Sequence, residues 1–127
     1  MQYPGEKLKV LVVEDEILIR KYMVLVLETI GCTVVGETAT GEEAILMAKE
    51  KNPGLVLMDI RLKGEMDGID AAKQIGCQVE THVLFMSAYD YQSRIDEEHI
   101  PNTLGYLKKP VDEYELECYL KRLTGEW

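Results

Sequence analysis

The sequence predicts an α/β sandwich, a five-stranded parallel sheet with helices on both faces. Three observations carry this. Short unbroken apolar runs recur along the chain: Val10-Leu11-Val12-Val13, Leu55-Val56-Leu57-Met58 and Val83-Leu84-Phe85-Met86. Such runs suit strands buried on both faces, as in a parallel sheet. Between the strands, apolar residues recur at helical spacing, so strand and helix alternate along the whole chain. The apolar runs also end in polar or charged residues, and the carboxyl ends of strands are where open α/β sheets bind ligands.

The chain has 127 residues, 46% of them hydrophobic. That is enough for one domain with one core and too short for two ordinary ones, so residues 1–127 are read as a single domain. No apolar run approaches the ~20 residues of a membrane span. Met1-Gln2-Tyr3-Pro4-Gly5-Glu6-Lys7 has no signal-peptide pattern, so a cytoplasmic protein is expected. A formal net charge of -9 leaves no basic footprint and argues against a direct nucleic-acid surface. The cysteines Cys32, Cys77 and Cys118 match no zinc or redox spacing. They are expected to be reduced, with Cys32 and Cys118 in or near the core.

The first strand is expected over residues 8–13, running into Glu14-Asp15-Glu16. A helix follows over 16–30. Its core face is read as Ile19, Tyr22, Met23, Val26, Leu27 and Ile30, with Gly31 as its stop. Residues 33–37 make a short strand near an edge. Thr40-Gly41-Glu42-Glu43 has capping-box spacing, and the helix it opens ends at Asn52-Pro53-Gly54. In the central strand, four apolar residues lead straight into Asp59. A loop over 60–67 precedes a third helix, from near Gly68 through Ile75, that Gly76 weakens at its end. The fourth strand, 82–86, ends at Ser87-Ala88. A short helix over 91–98 and a strand over 104–107 follow, the strand ending at Lys108-Lys109-Pro110. Asp112 caps the last helix, which runs to about Leu123. Strand order 2-1-3-4-5 gives the flavodoxin-like (βα)5 three-layer sandwich, with its switch point between strands one and three.

That topology delivers Glu14 and Asp15, Asp59, Ser87 and Lys109 to one edge from four different strands. Three carboxylates together repel one another and need a counter-charge. A hard divalent cation with oxygen ligands supplies it, and Mg²⁺ keeps waters and takes phosphate oxygens as well. Lys109 adds a second positive charge, and the Ser87 hydroxyl can hydrogen-bond a phosphoryl oxygen. The set fits phosphoryl transfer to a carboxylate, with Asp59 as nucleophile. Singly, each residue has a plainer reading. The acids suit a helix N-terminus, the preferred reading for Glu16. Lys109 could be solvated, as Lys108 is taken to be, and Ser87 could cap a turn. Convergence at four strand ends favours a site.

The segments Val10-Leu11-Val12-Val13-Glu14-Asp15-Glu16, Leu57-Met58-Asp59-Ile60, Met66-Asp67-Gly68-Ile69, Met86-Ser87-Ala88 and Gly105-Tyr106-Leu107-Lys108-Lys109-Pro110 resemble those of a response-regulator receiver domain of two-component signalling, of the chemotaxis-regulator kind. The resemblance spans residues 8–123. It implies that Asp59 accepts a phosphoryl group from a sensor histidine kinase or a histidine phosphotransfer protein. It implies Mg²⁺ bound by Asp15 and Asp59, by Glu14 directly or through water, and by the backbone carbonyl of Arg61. Ser87 would be the switch hydroxyl, Tyr106 the switch aromatic, and Lys109 a phosphoryl contact followed by a cis peptide bond to Pro110. The family usually has a Pro in the loop after the phosphoacceptor. Here residues 60–66 have none, and the loop is one residue longer. Glu14 also stands where many members have Asp.

The resemblance further implies that the first helix docks the kinase, and Ile17 and Val24, one heptad apart on its polar side, are the candidate contacts. Arg61 and Tyr89 would flank the path of the hydrolytic water and shield the phosphate. No effector domain is legible after Leu123, so a stand-alone regulator or a piece of a longer one is expected. The alternative reading is an aspartyl-phosphate phosphatase of haloacid-dehalogenase type. That chemistry normally has a second Asp two residues after the nucleophile, where this chain has Arg61. A flavin module on the same fold would need a phosphate loop after strand one, where Glu14-Asp15-Glu16 would repel the ligand.

Overall fold

The computed structural model describes residues 7–125. Its elements are β1 (Lys9–Val13), α1 (Ile17–Ile30), β2 (Thr33–Thr38), α2 (Gly41–Lys51), β3 (Leu55–Asp59), α3 (Gly68–Gln78), β4 (His82–Ser87), α4 (Gln92–Glu98), β5 (Thr103–Lys108) and α5 (Glu113–Thr124). The strands form one parallel sheet in the order β2-β1-β3-β4-β5, the flavodoxin-like order. Every residue of β3 is buried, because this strand lies mid-sheet with both faces covered.

Alternate strand residues feed two core layers. Val56, Met58 and Phe85 pack with Ala44, Ile69 and Ile75 of α2 and α3. Leu55, Leu57 and Leu84 pack on the other face with Met23 and Leu27 of α1 and Leu116 of α5. This is why the strands are apolar without alternation. Each fully buried aliphatic side chain contributes about 1.5–3 kcal/mol.

Local signals set the helix ends. Gly31, at φ 115°, closes α1 with its N–H on the Leu27 and Glu28 carbonyls. Asp112 caps α5 by accepting from Tyr114 and Glu115 N–H. Half of the capping box forms at α2: Thr40 accepts from Glu43 N–H, but the Glu43 carboxylate turns to the Thr38 hydroxyl. Helix α3 runs past Gly76 to Gln78, and Gly76 lets Pro101 approach closely. Tyr22 does not join the core face of α1. It is 49% exposed, and its hydroxyl donates to Glu113 at 2.6 Å. An aromatic at the margin of an apolar stripe can lay its ring along the surface and keep its hydroxyl wet.

Two features fix the loop after β3. Gly68 donates to the Ile60 carbonyl at 2.7 Å, so close that a Cβ on Gly68 would lie 2.0 Å from the Asp59 carbonyl oxygen. Lys63 forms a bridge with Thr40, and Gly64 takes φ 95°, which gives the longer loop its turn. Asp67 caps α3 through one oxygen and binds Arg94 of α4 through the other, at 2.8 Å. Arg94 and Lys73 both reach Glu98, so α4, with Ile95 as its buried residue, is tied ionically to α3. Cys32 is buried, Cys118 half-buried and Cys77 exposed.

Candidate functional site

The site lies at the carboxyl edge of the sheet, where β1 and β3 part. Asp59 closes β3 and is only 3% exposed. One of its oxygens sits 3.2 Å from the Lys109 ammonium and the other accepts from Arg61 N–H at 3.4 Å. Glu14 follows β1 and is wholly buried. Its carboxylate accepts from Lys109 at 2.5 Å through Oε1 and from Glu16 N–H at 3.0 Å through Oε2. Its backbone is held too: the N–H donates to the Thr38 carbonyl, and the carbonyl accepts from Arg20 at 2.8 Å. Asp15 is half-buried and faces a cleft of about 330 Å³ that Asp59, Arg61, Ser87, Tyr89 and Lys109 also line.

Glu14, Asp15 and Asp59 each offer an oxygen within 4.8 Å of the others. Burial pushes all three carboxyls above their ordinary values, and Lys109 pulls each part of the way back. Burial opposes the Lys109 charge, but Glu14 and Asp59 hold the ammonium above the ordinary lysine value. One ammonium cannot neutralise three carboxylates. The remaining deficit, the all-oxygen donors and an open cleft form an acidic cluster that could hold a metal ion.

The rim is built around Tyr89. The Arg61 guanidinium lies 4.9 Å above its ring centroid. The Tyr89 N–H donates to the Ser87 hydroxyl oxygen at 3.1 Å, and the Tyr89 carbonyl accepts from the Tyr106 hydroxyl. Ser87 thus does cap the following turn, and a hydroxyl that accepts can still donate its own proton. The Lys109-Pro110 peptide bond is cis, and Lys109 N–H donates to the Ser87 carbonyl at 2.8 Å.

Glu14, Asp15, Asp59 and Lys109 therefore meet as the strand order requires, with Ser87 and Arg61 at the cleft and Tyr106 one contact away. The two candidate contacts on the helix face differ in exposure. Ile17 is 59% exposed, but Val24 is half-buried and packs against the core. Leu18 and Leu25 are further exposed apolar residues of α1. Sequence reasoning assigns no role to three supporting residues: Arg20, Asp67 and the close-packed Gly68. The last two sit in Met66-Asp67-Gly68-Ile69, whose cap-then-Gly order was the available signal. Arg20 bonds a backbone carbonyl, which leaves no trace in side-chain spacing.

Residues 10–121 match the response regulator receiver domain family. The transcriptional regulatory protein PdtaR of Mycobacterium tuberculosis is 33% identical over 108 residues, covering 85% of this chain and 52% of that protein. BtsR of Escherichia coli is 31% identical over 121 residues, covering 94% of this chain and 49% of that protein. The chain thus spans about half the length of the curated relatives it matches. Among solved structures, the signal receiver domain of a modulated diguanylate cyclase from Desulfovibrio desulfuricans superposes with a TM-score of 0.85 at 28% identity, covering 95% of this chain and 96% of that one. The receiver domain of the putative response regulator NarL from Mycobacterium tuberculosis gives 0.84 at 29%, covering 97% and 100%. With strand order, acidic cluster and family match in agreement, this chain belongs to the response regulator receiver domains, the phosphoacceptor modules of two-component signalling.

Proposed function

We propose that Asp59 accepts a phosphoryl group from the phosphohistidine of a sensor histidine kinase or a histidine phosphotransfer protein, in the cytoplasm and with Mg²⁺. The observation that carries this is the cleft that Asp59 shares with Asp15, Ser87 and Lys109. Asp15 and Asp59 face it and would ligate the ion, together with the Arg61 carbonyl. Glu14, buried and tied to Lys109, would act through water. The ion would neutralise charge on the transferring phosphoryl oxygens. In the transfer, an Asp59 oxygen forms a bond to phosphorus as the bond to the histidine nitrogen breaks, and the leaving imidazole keeps the electron pair. Lys109 stays an ammonium and pairs with the new phosphate.

After transfer, Ser87 would donate to a phosphoryl oxygen. That would move the amide of Tyr89 and release Tyr106, a two-state element biased by local charge. Arg61 over Tyr89 would exclude the hydrolytic water. The chain would act as a switch rather than a turnover enzyme. The test is labelling by a small phosphodonor with and without Mg²⁺. Wild type should incorporate one acid-stable, base-labile phosphate only with the ion, and Asp59→Asn none. Equal labelling of Asp59→Asn would overturn the assignment.

A further inference from the structure

We propose that Arg20 is a positioning residue for the acidic pocket, fixing the Glu14–Asp15 peptide so that the Asp15 carboxylate is held ready for a divalent cation. The inference rests on the metal site proposed above. Arg20 comes from α1 and is largely buried, with its side chain 15% exposed. One arm of its guanidinium donates to the Glu14 carbonyl at 2.8 Å, and its Nε donates to Glu37 of β2 at 3.1 Å. The Glu14 N–H is fixed on the Thr38 carbonyl at 2.9 Å. The peptide units on both sides of Glu14 are thereby anchored, one by β2 and one by Arg20. Asp15 hangs from the second.

Rigidity at that point bears on metal binding. Mg²⁺ demands near-octahedral oxygens at short, narrowly defined distances, so a peptide free to rotate would place the Asp15 oxygen poorly. Arginine suits the task because its planar fork donates in two directions at once, which an ammonium does not reproduce. A rival account treats Arg20 only as a nearby positive charge. The two differ in sign. A bare charge repels the incoming cation, so its removal would tighten binding. A clamp aids the cation, so its loss would weaken binding.

The test is a Mg²⁺ titration followed by the amide chemical shifts of residues around Asp15 and Asp59, which also report the fold. For Arg20→Gln we expect affinity weakened by about 10-fold, the low end for losing a supporting contact at a metal site. Arg20→Lys keeps the charge, should weaken binding similarly, and serves alone if Arg20→Gln does not fold. Lys21→Gln removes the neighbouring charge, which pairs with Glu37, without touching the Glu14 carbonyl, and should stay near wild type. Wild-type or tighter affinity in folded Arg20→Gln or Arg20→Lys overturns the clamp. A wild type that shows no Mg²⁺-dependent shifts overturns the metal site itself, and the clamp with it.

Discussion

Replacing Asp15 with Asn removes one negative charge from a pocket holding three carboxylates and one ammonium. At 4.8 Å, the bound on the separation of the offered oxygens, two unit charges repel by about 3.5 kcal/mol at an effective dielectric near 20. Lys109 contacts Glu14 and Asp59 and cancels part of their field at Asp15. We therefore expect Asp15→Asn to stabilise the metal-free protein by about 2 kcal/mol at neutral pH. For a domain of this size that is a rise of about 6 °C in melting temperature. The pH dependence follows from the raised carboxyl values of Glu14, Asp15 and Asp59. Each favours the folded state below the ordinary carboxylate range, and that contribution is lost as pH rises through the raised value. The advantage of the variant should therefore be full at neutral pH and fade as pH falls towards about 4. Mg²⁺ should remove it too. At about 100 times its dissociation constant, a ligand stabilises the wild type by about 2.7 kcal/mol, and the variant by little. Thermal denaturation in chelator, across pH, and then in Mg²⁺ measures all three effects. A variant less stable than wild type in chelator at neutral pH refutes the electrostatic argument, as does an advantage undiminished in acid.

Gly68→Ala should cost about 3 kcal/mol or more in chemical denaturation, because the new methyl would meet the Asp59 carbonyl at 2.0 Å; a neutral effect would mean the loop yields freely. Arg61→Asn combined with Tyr89→Ala removes the stacked pair and should shorten the aspartyl-phosphate lifetime by up to about 10²-fold; an unchanged or longer lifetime in an autodephosphorylation assay counts against shielding. Ile17→Asp, on an exposed side chain, should slow transfer from a kinase but not from a small phosphodonor. Val24→Asp should lower the melting temperature instead, since Val24 packs against the core, and a fully stable Val24→Asp would restore it to the docking surface.

Strand ends were the legible part. A fully apolar run can only be a strand covered on both faces or a buried helix, and the short runs here are bounded by turn residues. Once the strand order is set, the residues after β1, β3, β4 and β5 must share one edge, so Glu14, Asp15, Asp59, Ser87 and Lys109 could be named together. Their division of labour was not legible. Glu14 and Asp15 are neighbours in sequence, yet Glu14 is sealed against Lys109 and Asp15 faces the cleft, a difference set by the turn into α1. Helical periodicity likewise could not rank residues at the edge of a stripe. Tyr22 lies largely exposed with its hydroxyl on Glu113, and Val24 is half-buried against the core, because the neighbouring elements decide how far around α1 the cover extends.

The backbone of Tyr89 links two properties that the sequence presents as separate. Its ring carries Arg61 at the mouth of the cleft, which would bear on how long a phosphate survives. Its N–H rests on Ser87 and its carbonyl on Tyr106, which would bear on what surface a phosphate produces. A Ser87 drawn towards a phosphoryl group would disturb the N–H contact first, then the carbonyl, and Tyr106 would lose its anchor. A Tyr106 fixed in one rotamer with and without a phosphate mimic would count against that sequence of events. The same displacement would shift the ring beneath Arg61, so exclusion of water and release of Tyr106 would be coupled through this residue. Truncating the Tyr89 ring should alter lifetime while sparing the backbone contacts, so lifetime and switching can be separated at this one residue by the side chain alone.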